Sequence, residues 1–212
     1  MSVDDENPIE FHPYENGYGK GIYLTPDSRL FIVGTFPIGK FTNPLRKDEI
    51  KPNEIDFFYG GATNRHWVAM ADLFNKELKS RANIETFLCE NKISVADVIQ
   101  SCRRINGEAS DDKLYEMIWN PNLDKILKEH PSTKIIFTSD IAAEWFNANI
   151  YKDYPSQMVI LISPSAQGAR RIGRMNEYKA LKARTPNYNT LEFLKLKYRE
   201  AFNQLDLWPQ KV

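Results

Sequence analysis

The amino-acid sequence predicts an α/β fold: a three-layer α/β/α sandwich in which helices cover both faces of a short, mainly parallel, four-stranded sheet. Short apolar runs alternate along the chain with segments of helical periodicity, which is the pattern of strand–helix–strand units. The length of 212 residues, 42% of them hydrophobic and 26% charged, is enough for one compact domain with a sizeable core.

Four apolar runs are the predicted strands. Each is short and ends in polar or turn-forming residues, as buried parallel strands do. They are Leu30–Gly34, Ile93–Ile99, Lys134–Thr138 and Met158–Ile162. Between the first two lies a long connection, residues 35–57, and loops of that length in compact domains are often functional.

Helices are expected at 64–79, 120–130, 140–148 and 190–205. Apolar residues at helical spacing form one stripe in the first of them: Trp67, Met70, Ala71, Phe74 and Leu78. In the second, Pro121 suits the first turn behind an Asn120 cap, and the third is expected to begin behind Ser139 or Asp140. The polar residues 1–28 are expected to form an N-terminal extension packed on a single domain of residues 29–212.

Charge is balanced overall but uneven along the chain. The 28 basic and 28 acidic residues cancel, so nothing global indicates a nucleic-acid partner. The segment Gly168–Arg184, however, carries six basic residues against Glu177 alone. A local basic patch on a neutral protein favours an enzyme that contacts a polyanion briefly. The alternative is a solvated helix face.

Composition also limits cofactors and location. Two cysteines are too few for a disulfide scaffold or a four-cysteine cluster, and the three histidines lack metal-ligand spacing. The N-terminus has no apolar signal core, and no apolar run approaches about 18 residues. We therefore expect a cytoplasmic protein without a membrane span, a metal or an organic cofactor.

Two segments near the first strand suggest a ligand pocket at the carboxyl end of the sheet. Gly34–Pro37 allows a sharp turn whose backbone amides could face a ligand. In Tyr59–Trp67, the Tyr59 ring could stack on a flat ligand, and the Asn64 amide could read a base edge. The alternatives are a core role for Tyr59 and helix capping by Asn64.

Two further segments carry polar groups. Ser163–Arg171 follows the fourth strand, and its small residues, hydroxyls and guanidinium groups suit contact with a phosphodiester backbone; a polar surface turn is the alternative. Asp97–Asn122 clusters arginines, serines and paired aspartates after the second strand. Taken alone, that cluster is typical of surface loops.

Taken in order, these four segments resemble the uracil-DNA glycosylase superfamily, and most closely its hypoxanthine-DNA (deoxyinosine) glycosylase and mismatch-specific uracil glycosylase branches. The hypoxanthine branch reads Gly-Ser-Met-Pro-Gly and then Tyr-Ala-His-Pro-Arg-Asn-x-Phe-Trp. It continues with Asp-Val-x-x-Ser-Cys-x-Arg, Gly-Ser-x-Asp, a Pro-Asn pair and finally Pro-Ser. The matching segments here are Gly34–Ile38, Tyr59–Trp67, Asp97–Arg104, Ser110–Asp111, Pro121–Asn122 and Pro164–Ser165.

The resemblance implies a monofunctional DNA glycosylase of base-excision repair, which flips a deaminated base, uracil or hypoxanthine, and hydrolyses its N-glycosidic bond. The partner would be DNA containing a damaged base, bound by a monomer. The base would be bound by Thr35, Phe36, Tyr59 and Asn64. The DNA would be bound by Ser165, Gln167, Arg170 and Arg171, with Gln167 or Arg170 filling the gap that the flipped base leaves.

The chain departs from the family pattern at two positions. Many members carry Asp or Asn where Phe36 stands, so the resemblance leaves Asn122, of the Pro-Asn pair, as the catalytic residue that would orient water. Gly60–Ala62 replaces Ala-His-Pro and removes a base-binding His. These departures favour an alternative, a catalytically weakened or inactive nucleic-acid-binding protein of the same fold. An unrelated α/β hydrolase of free nucleotides would need a metal or a cluster of catalytic bases.

Overall fold

The fold comes from a computed structural model, and the structure describes residues 7–207. Residues 1–6 and 208–212, the ends of the predicted extension and domain, lie outside the described residues. The strands are β1 (Ile9–Phe11), β2 (Ile22–Tyr23), β3 (Leu30–Gly34), β4 (Ile93–Asp97), β5 (Ile99–Arg104), β6 (Leu114–Trp119), β7 (Lys134–Phe137) and β8 (Met158–Ile160). The helices are α1 (Gly39–Thr42), α2 (His66–Phe74), α3 (Arg81–Asn91), α4 (Pro121–Glu129), α5 (Asp140–Asn149), α6 (Ala166–Arg174), α7 (Asn176–Arg184) and α8 (Thr190–Gln204). Short 3-10 segments cover Pro44–Glu49, Ile105–Gly107 and Asp111–Lys113.

The main sheet has the order β2-β4-β3-β7-β8. Four of its strands, β4, β3, β7 and β8, run parallel to one another, and these correspond to the four predicted strands. The predicted strand count was nevertheless too low, because β2 adds an antiparallel edge strand beside β4. With only two residues, β2 is too short to produce a recognisable alternation of apolar and polar positions.

A second sheet, antiparallel and of order β1-β5-β6, was not predicted. The apolar run Ile93–Ile99 was expected to be one strand, but β4 ends at Asp97 and β5 begins at Ile99 in the other sheet. Val98 joins the two sheets: its N–H donates to Gly34 O, and its carbonyl accepts from Asn120 N. Because all residues from Ile93 to Ile99 are buried, their hydrophobicity does not mark the break.

Helices cover both faces of the main sheet, so the α/β class with three layers is confirmed. Successive residues of β3 point to opposite faces: Leu30 and Ile32 join one buried cluster, and Phe31 and Val33 join the other. The first cluster includes buried residues of α2, α3 and α8, and the second includes those of α4 and α5. None of the helices within residues 7–207 is both long and apolar enough to cross a membrane.

Three of the predicted helices occur as α4, α5 and α8, and Ser139 caps α5 by accepting from Ala142 N at 3.1 Å. The predicted helix 64–79 is shorter, because Asn75 adopts a left-handed conformation and ends α2. Asn120 precedes α4 as expected, but its side chain makes no capping bond. Its amide instead donates to Lys20 O and Asp97 O, and so braces the end of β4.

Candidate active site

A cavity of about 620 Å³ opens at the carboxyl ends of the parallel strands, the edge at which open α/β sheets bind ligands. Its polar floor is built by the residues at which these strands end. Thr35 follows β3, Asp97 ends β4, Thr138 follows β7, and Ser163 comes soon after β8. The sheet topology therefore gathers residues that are far apart in sequence.

Eight of the nine residues singled out from sequence line this cavity. They are Thr35, Phe36, Tyr59, Asn64, Ser165, Gln167, Arg170 and Arg171. The ninth, Asn122, is not in the lining. Its side chain packs against Gly19, where an added Cβ would collide with the Asn122 amide. The structure therefore brings the predicted base-binding and DNA-binding residues together but does not bring the predicted catalytic residue to them.

Tyr59 is held in an unusual conformation at the cavity wall. Its φ of 58° lies in the left-handed region, which a bulky residue adopts only where surrounding contacts impose it. Its ring lies 4.5 Å from the ring of His66, centroid to centroid, and its hydroxyl is buried without a hydrogen-bond partner among the described residues. Burial raises the pKa of Tyr59 well above its ordinary value, so the hydroxyl stays protonated.

His66 supports Tyr59 from behind. A hydrogen bond of 2.7 Å joins its Nδ1 to the Tyr198 hydroxyl, and the imidazole is fully buried. Burial lowers the pKa of His66 to about 3, so the ring is neutral. A neutral, anchored imidazole thus packs against the Tyr59 ring, which also lines the cavity.

Asp97 lies at the floor of the cavity, and one of its two carboxylate oxygens is hydrogen-bonded to His12. The backbone N–H of Tyr14 donates to His12 Nδ1, so the His12 proton lies on Nε2 and is donated to Asp97 Oδ2 at 2.9 Å. The other oxygen, Oδ1, faces Gly34 and Tyr59. A Cβ on Gly34 would collide with Asp97 Oδ1 and lie 2.8 Å from the Tyr59 hydroxyl, so only glycine admits both groups here.

Asp111 is a site residue that the sequence reasoning missed. Its Oδ1 accepts a hydrogen bond of 3.0 Å from the Thr35 hydroxyl, and it lines the cavity. Burial is the main reason that the pKa of Asp111 is raised to about 6, against opposing contributions from Thr35 and Arg104. A partly desolvated carboxylate in a cavity is a candidate general base. The sequence signals were the Asp111-Asp112 pair and the match of Ser110–Asp111 to the Gly-Ser-x-Asp segment, and neither shows which of the two carboxyl groups faces the cavity.

Asn64 combines the two roles weighed for it. Its Oδ1 accepts from His66 N at 2.9 Å at the start of α2, while its amide nitrogen makes no hydrogen bond to the described residues. The neighbouring N–H of Arg65 donates to Pro164 O at 2.9 Å and ties the start of α2 to the segment before α6. The free amide therefore lies at a fixed place on the cavity wall.

The outer rim is basic and includes two helix N-termini. Ser165, expected to contact a phosphodiester backbone, caps α6 by accepting from Gly168 N at 3.2 Å, and Ser139 caps α5. Such ends attract anions. Arg170, Arg171 and Arg174 lie exposed on α6; Arg171 pairs with Asp140, and the structure shows no ion pair for the other two within residues 7–207. The cavity thus has an acidic floor and a basic rim.

No protein-family model and no curated protein matches this chain. A solved structure does: the solution NMR structure of a protein from Methanosarcina acetivorans described as a "putative Uracil DNA glycosylase". The two are 17% identical over 89% of this chain and 99% of the other, with a TM-score of 0.49. A likeness of this degree says nothing about the chemistry of the cavity.

Proposed function

We propose that this chain is a monofunctional DNA glycosylase, which flips a deaminated base, uracil or hypoxanthine, and hydrolyses its N-glycosidic bond. The observation that carries the proposal is the composition of one cavity. The ring of Tyr59, the amide of Asn64, the carboxylates of Asp97 and Asp111 and a basic rim line the same space. Each of these groups matches one requirement of base excision.

The flipped base would lie on Tyr59. Extruding a base costs a few kcal/mol, and stacking on an aromatic ring recovers about 1–3 kcal/mol. The Asn64 amide and the backbone N–H of Phe36, which makes no hydrogen bond to the described residues, would donate to oxygens on the base edge. The same donors would stabilise the negative charge that develops on the departing base.

The two carboxylates would act on the other side of the bond. Cleavage leaves positive charge on the sugar, and Asp97 Oδ1, which bonds none of the described residues, would stabilise that charge electrostatically. Asp111, whose pKa of about 6 leaves it ionised at neutral pH, would take a proton from the attacking water. In this scheme Asp111 performs the role that the resemblance assigned to Asn122, because Asn122 lies outside the cavity lining.

The rim would bind the DNA backbone. Ser165 at the N-terminus of α6, together with Arg170 and Arg174, would contact phosphates, since these groups carry positive or donor character and face the cavity. Such contacts position the duplex without reading its sequence. Water activation by a carboxylate needs no metal, so we expect excision to persist in EDTA.

A panel of duplexes containing uracil, hypoxanthine, xanthine or a thymine mismatch tests the proposal. Single-turnover excision is followed by cleavage of the abasic product. We expect Asp111→Asn to lower the excision rate by about 10²-fold or more, as loss of a general base does. The matched control is Asp112→Asn, because Asp112 is the exposed neighbour and bonds Ser110 instead of Thr35. Wild-type excision by Asp111→Asn would contradict the assigned role.

A second candidate is a nucleic-acid-binding protein of this fold without catalysis. Phe36 at the cavity favours it, because this side chain cannot activate water. That candidate predicts DNA binding that depends on the basic rim, with no excision on any duplex of the panel. Binding and excision measured on the same duplexes separate the two.

A further inference from the structure

Arg104 and Glu10 form an ion pair that is almost completely closed to solvent. Arg104 Nε lies 3.0 Å from Glu10 Oε2, and the two side chains are 2% and 3% exposed. The Thr42 hydroxyl donates to the same carboxylate oxygen at 2.6 Å. The pair joins β1 to the last residue of β5, directly behind the cavity wall.

The guanidinium group also binds two loops. Nη2 donates to Pro37 O at 2.7 Å, in the turn that follows β3, and Nη1 donates to Glu108 O at 2.9 Å, in the connection between β5 and β6. Its carbon lies 5.8 Å from the centroid of the Phe36 ring. One side chain therefore fixes the turn that begins with Thr35 and the loop that leads to Asp111.

Stability alone gives little reason for such a pair. Desolvation of two charges offsets most of their attraction, and apolar residues of similar volume commonly serve a fold as well. What apolar residues cannot supply is a rigid, planar fork whose donors reach several carbonyls at fixed angles. The arrangement here uses that fork on both loops of the cavity.

We propose that Arg104 is a positioning residue that clamps these two loops and so holds Asp111 against Thr35. The inference rests on the proposed function, since it concerns the geometry of the carboxylate assigned to water activation. Arg104 itself does not line the cavity and would touch neither base nor water.

Charge supports the same role. The groups that face Asp111 are Arg104 and the Cys102 thiol from β5, Asp97 at the end of β4, Asp112 beside it and the Thr35 hydroxyl. Arg104 and the Thr35 hydrogen bond lower the pKa of Asp111, whereas burial and the two aspartates raise it. Loss of the guanidinium charge should therefore move the titration of Asp111 to higher pH.

The test measures single-turnover excision against pH for Arg104→Met and Arg104→Lys. We expect Arg104→Met to excise roughly tenfold more slowly at its plateau and to raise the midpoint of the acidic limb by about one pH unit. Arg104→Lys keeps the charge but not the fork, so its plateau should fall while its midpoint stays near wild type.

Arg46→Met is the matched control. Arg46 holds the same loop through Gly107 O and pairs with Glu49, but it makes no bond to Pro37. We expect its rate to stay within about threefold of wild type, with an unmoved midpoint. Wild-type rate and midpoint in Arg104→Met would overturn the proposal. If Arg104→Met does not fold, the decision passes to Arg104→Lys, and a wild-type plateau there overturns the proposal instead.

A readout without DNA keeps the two proposals separable. The Asp111 carboxyl carbon is titrated by NMR in wild type and in the Arg104 variants, with Asp111→Asn for assignment. If wild type excises nothing from the duplex panel, the midpoint reports only the charge of Arg104, and the clamp is read from the amide resonances of Thr35 and Asp111 in Arg104→Lys. Their displacement there, with the Asp111 midpoint unmoved, would mean that the glycosylase proposal fails and the clamp stands. If wild type excises a base and the Arg104 variants keep both its rate and its Asp111 midpoint, the clamp proposal fails and the glycosylase proposal stands.

Discussion

The Thr35 hydroxyl donates a hydrogen bond of 3.0 Å to Asp111 Oδ1 and so joins the end of β3 to the loop before β6. The carbonyl of Thr35 also accepts from Ile99 N at 3.2 Å, which fixes Thr35 against the start of β5. The hydrogen bond favours the ionised form of Asp111, whereas burial disfavours it more strongly. The balance sets a pKa of about 6 at the floor of the cavity.

This balance predicts opposite effects of Asp111→Asn on excision and on stability. The pKa of Asp111 is raised above the ordinary 3.8, so between about pH 4 and 6 the folded state holds a proton that the unfolded chain has lost. Stability should then fall as pH rises through that window. Asp111→Asn removes the cost of the buried charge and should raise the free energy of unfolding at pH 7.5, by on the order of 1–3 kcal/mol.

Denaturant unfolding of wild type and Asp111→Asn at pH 4 and pH 7.5 checks this prediction. The difference between the two proteins should be small at pH 4, where the wild-type carboxyl is protonated, and larger at pH 7.5. The wild-type excision rate should increase with pH as Asp111 ionises, with the midpoint of this increase near pH 6. A destabilised Asp111→Asn would mean that the ionised carboxylate supports the fold.

A second prediction concerns Asn122. The resemblance assigned it the catalytic water, but its amide packs against Gly19 instead of lining the cavity. We expect Asn122→Ala to excise within about threefold of wild type and to lose about 1 kcal/mol of stability through the lost contact. Excision rate and unfolding free energy measured on the same variant test this. A hundredfold slower excision with unchanged stability would return the catalytic role to Asn122.

The strands that were predicted correctly are those that stand out in the sequence as short runs of apolar residues. β3, β4 and β7 are largely buried apolar runs with a neighbouring strand on each side. β8 is the edge strand of the main sheet and Ile160 in it is 52% exposed, so only its apolar composition marked it as a strand. β1 has the opposite pattern, because Ile9 and Phe11 are exposed while Glu10 between them is buried. Its buried partner, Arg104, is distant in sequence, so no local rule could have identified the strand.

Part of the cavity wall was predictable from short segments of the sequence. Tyr59 and Asn64 follow from the segment that begins α2, and Gly34 follows from the end of β3. Asp111 was not predictable, since two adjacent aspartates differ only in how a short 3-10 turn directs them. Asn122 was expected at the site only because the resemblance matches Pro121-Asn122 to the Pro-Asn pair, but the first turn of α4 directs its side chain to Gly19.

A third prediction concerns the basic rim. Arg170 and Arg174 make no ion pair within residues 7–207, whereas Arg171 is paired with Asp140. Arg170→Ala and Arg174→Ala should each weaken DNA binding and lower the slope of log affinity against log salt by about 1 for each lost phosphate contact. Arg171→Ala should change the slope less, because Asp140 already offsets its charge.

Fluorescence titration of a duplex at several salt concentrations measures these slopes. Lys125→Ala is the control, since Lys125 is exposed on α4 and lies outside the cavity lining. An unchanged slope in Arg170→Ala and Arg174→Ala together would show that DNA does not follow the rim. Equal slopes for all three arginine variants would show that DNA binding breaks the Arg171–Asp140 pair.

The last prediction concerns the space that a flipped base leaves in the duplex. Proteins that open a base stack commonly insert an apolar side chain into it. Ile141 lines the cavity mouth, is 39% exposed and lies in the first turn of α5, which the Ser139 cap holds in place. Gln167, named from the sequence for this role, is a polar alternative on the neighbouring α6.

If Ile141 fills the gap, Ile141→Ala should slow excision from duplex DNA by roughly tenfold. The excision rate on single-stranded DNA should stay within about twofold of wild type, because a single strand has no base stack to hold open. Single-turnover rates on both substrates measure this, and 2-aminopurine beside the lesion reports the opened stack. Gln167→Ala is compared in parallel, with Ile118→Ala as a control for an exposed isoleucine outside the cavity lining. Equal losses on both substrates would place the effect of Ile141 in base binding, and a duplex-specific loss in Gln167→Ala alone would assign the gap to Gln167.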